Sequence, residues 1–131
     1  MAGLTLESKV EELVRTDHRY AAEAYHFVFE ALDLATQLPG NRFQDSRHIG
    51  VSQLLEGLRV LALQQFGPLA RCVLESWGIY RTEDFGEVVF SLIEHDLLNQ
   101  GDGDQKEDFR DGYSFREALD EAYHPTLQLD E

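Results

Sequence analysis

A chain of 131 residues, 43% of them hydrophobic, has the length of one domain and enough apolar material for a core without covalent staples. A single cysteine excludes an internal disulfide and an all-cysteine zinc site, and favours a reducing compartment. The net charge of −14 is lopsided: residues 1–82 hold 10 acidic and 8 basic side chains, whereas residues 83–131 hold 15 and 3.

That second part repels nucleic acid and anionic lipid and attracts a basic partner. Charges interrupt residues 1–17, where a signal peptide needs an apolar run, and no window approaches the about 20 apolar residues of a membrane span. The expectation is a cytoplasmic, single-domain protein without membrane association, covering residues 1–131 with frayed ends at 1–5 and 125–131.

In chain order, a first helix is predicted over residues 6–15, with Val10, Leu13 and Val14 as its apolar stripe. Ser8 and Glu11 have capping-box spacing, and Thr5 is a rival cap. Asp17 is the expected cap of a second helix running to about Leu38, where Pro39-Gly40 ends it. Its apolar face holds Ala24, Phe27, Val28, Ala31, Leu32, Leu34 and Ala35. Glu23, His26, Glu30, Asp33 and Gln37 form the opposite polar stripe. Apolar surface on these two helices permits a homodimer without requiring one.

The connector 39–51 carries Arg42, Arg47 and His48. Its cations serve either as a functional loop or as internal partners of the acidic half. Ser52 is the expected cap of a third helix ending at Phe66, and Gly67-Pro68 punctuates it. A fourth helix stops at Trp77-Gly78, with Ile79 placed to reach back to Leu74 as in a Schellman motif. Trp77, Gly78 and Ile79 therefore read as a structural joint. Cys72, amid Leu69, Ala70, Val73 and Leu74, reads as a buried thiol.

Thr82 is the expected cap of a fifth helix, with Glu83 and Asp84 in its first turn, where the helix dipole favours them. Phe85, Val88, Val89, Leu92 and Ile93 form its core face. Gly86, which costs about 1 kcal/mol against alanine, suggests close packing. After Leu98 the polar run NQGDGDQKEDFRDGY predicts a loop or short β-hairpin anchored by Phe109 and Tyr113. Ser114 and Glu117 open a last helix, docked by Phe115, Ala118, Leu119 and Ala122 and stopped by Pro125.

The fold class is accordingly mainly α, a compact helical domain with a winged-helix-like helix-turn-helix centre and a hairpin or loop after it. A nucleic-acid reader needs cations on its second helix. Here Glu83, Asp84, Glu87 and Glu94 stand in those places, so the shape survives and the ligand does not. The duplicated Glu-x-x-His pairs, Glu23/His26 and Glu121/His124, suggest a di-metal carboxylate site. Against it, Glu23 and His26 sit on the wet stripe, and His124 precedes a proline near the chain end. The loop from Asp102 fails the calcium-loop pattern, because Lys106 and Glu107 fall where a ligand and a glycine belong. No catalytic motif or cofactor-binding signature is present.

The segments RYAAEAYHFVFEALD, LLEGLRVLALQQFGPLARCVLESWGI, RTEDFGEVVFSLIEHDLL and KEDFRDGYSFREAL, in this order, resemble a short bacterial family of uncharacterised proteins. The resemblance covers about residues 19–119, and FGPLARCVLESWGIYRTEDFGEVVF is its most specific block. It implies a single-domain cytoplasmic protein with no catalytic residues to carry over. An aliphatic residue stands in that family's pattern where this chain has His26. The expected function is a protein-interaction module that uses Glu83, Asp84, Glu87 and Glu94, with Arg42 and Arg47, towards a partner with a basic surface. The alternatives are the metal-dependent enzyme and, after it, the winged-helix nucleic-acid binder.

Overall fold

Apolar residues recurring at three and four positions demand helices, and helices supply almost all the regular structure of this protein. The computed structural model describes residues 6–38, 50–98 and 106–121. Its α-helices are α1 (Leu6–Thr16), α2 (Ala22–Gln37), α3 (Val51–Phe66), α4 (Ala70–Ser76) and α5 (Thr82–Glu94). A 3-10 turn, Gly67–Leu69, joins α3 to α4; a second, Lys106–Phe109, and a π-helical turn, Arg116–Glu121, follow α5.

One apolar cluster unites these elements. Tyr25, Val28, Leu58, Leu74, Ile79, Phe85, Leu92 and Phe109 are all essentially closed to solvent within it. The α2 and α3 axes approach closely because Gly57 lacks a side chain. A Cβ there would stand 2.8 Å from Ala31 O and 3.0 Å from the Ala35 Cβ. Gly86 plays the same part on α5: the Phe109 ring lies against it, 3.0 Å from where a Cβ would be. The close packing read into Gly86 from sequence is thus directed at the 106–113 segment.

Helix starts depart from expectation. Asp17 does not cap α2, which begins at Ala22 with Ala21 as its N-cap. Instead, Asp17 Oδ1 accepts the Arg19 N–H at 3.1 Å, and the Ala21 N–H donates to Trp77 O at 3.1 Å. A tertiary bond to the α4 end has set the helix start, overriding a locally adequate cap. Ser8 lies inside α1 rather than at its cap. Ser52 is likewise inside α3, whose N-cap is Gly50, with Gln53 Oε1 accepting the Gly50 N–H at 2.8 Å.

Thr82 is the first residue of α5 rather than its cap. It is buried, and its Oγ1 accepts the Gly112 N–H at 3.0 Å. Cys72 is exposed, not buried. Its partners Ala70 and Leu74 are one turn apart and face inward, so the position between them points away. The residues 106–113 form the 3-10 turn and bends, with no strand among the described residues. The rest of the expected hairpin, 99–105, lies outside them, as do residues 1–5 and 122–131.

The joint forms as the spacing requires. Ile79 N–H donates to Leu74 O and Gly78 N–H to Glu75 O, both at 3.0 Å, with Gly78 at φ 95°. A Cβ on Gly78 would collide with Arg19 O. Trp77 packs edge-on against Phe27 and Phe66, with ring centroids 5.4 and 5.7 Å away. The joint therefore orients α4 and α5 and also receives the start of α2.

Candidate interaction surface

The four carboxylates expected to face a partner divide into two pairs. Asp84 and Glu87 are engaged inside the chain. Asp84 Oδ1 accepts the Tyr20 hydroxyl and its Oδ2 the Tyr80 N–H, each at 2.8 Å. Glu87 Oε1 sits 3.0 Å from Arg19 and 3.4 Å from Lys106. Glu94 is exposed and Glu83 partly so, and neither enters an ion pair with another described residue. The helical period does not separate the pairs, because Glu83, Glu87 and Glu94 fall on one side of α5 at i, i+4 and i+11; Glu87 differs in that Arg19 and Lys106 reach it.

Arg19 organises that connection. Its guanidinium meets Asp17 at 2.8 Å and Glu87 at 3.0 Å, and lies 5.3 Å from the Tyr20 ring centroid. The hydrogen bond from Arg19 holds the Asp17 carboxyl below its ordinary range, against the opposing effect of burial. Burial pushes Glu87 upward, but the bonds from Arg19 and Lys106 outweigh it, leaving a net downward shift. Burial, then the bond to Asp84, raises Tyr20. Deeper in the core, burial pushes the Tyr25 hydroxyl up to about 12. That hydroxyl has no hydrogen-bond partner among the described residues. Ser91 nearby pulls the value down without meeting hydrogen-bond geometry.

Arg42 and Arg47 lie outside the described residues, as do His124 and the Glu121 side chain. Of the two Glu-x-x-His pairs, Glu23 is exposed and His26 partly buried on α2. The described residues contain no group of three or more His, Cys, Asp or Glu able to hold a metal ion. No helix among them is long and apolar enough to cross a membrane.

Two open grooves lie on the surface of the described residues. One, of about 610 Å³, runs past the start of α3 and is lined by Val51, Leu55, Glu56, Asp108 and Tyr113. Its Tyr113 hydroxyl is spent on Leu55 O at 2.8 Å. The other, of about 450 Å³, lies between the α1–α2 connection and the α4–α5 joint, where Val14, Tyr20, Glu75, Trp77 and Tyr80 line it. Tyr80 is 61% exposed, matched among the large apolar residues described only by Leu69. Sequence reading located the joint but missed this groove, because Arg19 and Tyr20 reach it from 55 or more residues away in the chain. The only local signal was two aromatics, Trp77 and Tyr80, straddling a left-handed glycine. Compared with protein-family models, curated proteins and solved structures, the chain matches none.

Proposed function

We propose that this chain is a protein-interaction module, working in the cytoplasm, whose helix-turn-helix-like centre of α4, joint and α5 presents an acidic face to a partner with a basic surface. The supporting observation is that, among the described residues, few ion pairs offset the acidic surplus of the C-terminal part. Among ion pairs between described residues, only Arg19–Glu87 and Arg71–Asp120 bring a cation from residues 6–82 to a carboxylate beyond them. Glu83 and Glu94 stay available at the two ends of α5, with Asp96, Glu107 and Asp111 also exposed. Charges so arranged steer a cationic partner and set its orientation more than they add raw affinity.

The test is partner capture with wild type against a Glu83→Lys, Glu94→Lys double variant. Asp84 and Glu87 are left intact because their loss would disturb the Tyr20, Tyr80 and Arg19 bonds. The expected result is loss of the captured partners together with salt-sensitive binding of an arginine-rich peptide to wild type alone. A variant that keeps every partner and the peptide affinity overturns the reading.

A further inference from the structure

We propose that the groove between the α1–α2 connection and the α4–α5 joint docks an extended, proline-rich peptide segment flanked by basic residues. Neither Glu83 nor Glu94 lines this groove, so the proposal is tested independently of the acidic-face reading.

Three observations carry it. The groove lining is aromatic, with Tyr20 buried, Trp77 partly buried and Tyr80 exposed. Its about 450 Å³ lies within the roughly 300–1,000 Å³ typical of ligand clefts. Two donors there are unspent: neither the Trp77 indole N–H nor the Tyr80 hydroxyl has a hydrogen-bond partner among the described residues, and neither is sealed in the core. By contrast, the hydroxyl of Tyr20 is committed to Asp84.

Those features select the conformation of the occupant. A helical peptide uses its own carbonyls internally and would leave the two donors idle. Strand addition needs a sheet edge, and the described residues contain no strand. A polyproline II segment has no internal hydrogen bonds, so its carbonyls are free to accept, while its pyrrolidine rings stack between aromatic walls.

Charge selects the flanks. Glu75 is the carboxylate of the groove lining, and its only ion pair among the described residues is a long one, 3.3 Å, to Arg71. The cations that share the groove do not oppose a basic ligand strongly. Arg19 is neutralised by Asp17 and Glu87, and His18 Nε2 lies 2.9 Å from Arg15 O.

Trp77 is the only tryptophan of the chain, so its fluorescence reports directly on the groove. The probe is a synthetic peptide with a proline run and two flanking arginines; the control replaces its prolines by glycine. Wild type is expected to show a saturable emission change with the proline peptide and little with the control. Tyr80→Ala, which removes an exposed ring while keeping the backbone bond to Asp84, is expected to fold normally and bind about fivefold or more weakly. Trp77→Phe, followed by calorimetry, removes the donor but keeps a ring and is expected to weaken binding as well.

The Glu83→Lys, Glu94→Lys variant should retain the peptide. Equal binding of the glycine control, unchanged affinity in Tyr80→Ala, or no saturable signal with wild type overturns the proposal. Loss of the peptide in the α5 variant while Tyr80→Ala still binds assigns it to the acidic face and also overturns the groove.

Discussion

Asp96 closes α5 in a backbone conformation that suits glycine better. Its φ is 61°, with Leu97 N–H donating to Leu92 O at 2.8 Å and Asp96 N–H to Ile93 O at 3.0 Å, the same Schellman pattern that Gly78 completes after α4. Asp also places a carboxylate at the negative end of the helix dipole. Asp96→Gly is expected to stabilise the protein by about 0.5–1 kcal/mol, read as a rise of about 3 °C in Tm; an unchanged or lower Tm would refute this. The contrast shows what single residues reveal. Gly78 announced its cap in the sequence because glycine is the common residue there, whereas nothing about Asp96 alone distinguishes a left-handed cap from an ordinary helical or loop aspartate.

At the scale of elements, the α1–α2 connection is fastened to α5 by charge and hydrogen bonds rather than by a cap. Asp17 and Glu87 both have lowered pKa values in the folded protein. Each therefore adds stability that is present above its unfolded pKa and is lost as pH falls through the folded value. Arg19 is 52% exposed in its side chain, so solvent screening holds the gain to about 1 kcal/mol or less. Arg19→Gln should be less stable than wild type near neutral pH, and the gap should close as pH drops from about 5 towards 3. Urea unfolding of the two proteins across that range measures it; a gap independent of pH would show that Arg19 acts by packing over Tyr20 instead. The helices themselves were legible from apolar spacing, and so was the polar stripe of α2. Their starts were less so: Asp17, Ser52 and Thr82 are all competent caps, and tertiary bonds or nearby glycines displaced each of them.

For the whole molecule, the decisive quantity is the charge of −14 on 131 residues. Self-repulsion works against the folded state, while the ion pairs are mostly solvent-exposed and individually weak. Raising salt from about 0.01 M to about 0.15 M shortens the screening length from about 30 Å to about 8 Å and is expected to raise Tm by a few degrees. Differential scanning calorimetry over that range decides; a falling Tm would mean that the Arg19, Arg71 and Lys106 pairs outweigh the net repulsion.

Composition and periodicity alone determined that the protein is helical, which faces of α2, α3 and α5 turn inward, and where the charge imbalance falls, because each depends only on residue order along a repeating backbone. They also marked the Trp77-Gly78-Ile79 joint, a local motif whose bonds close within six residues. Only the tertiary structure decided that Cys72 faces outward and that Asp84 and Glu87 are spent on Tyr20, Tyr80, Arg19 and Lys106. It alone opened the aromatic groove beside the joint. Those outcomes depend on which distant segment packs alongside, and a carboxylate on an outward helical position looks the same in sequence whether water or an arginine meets it.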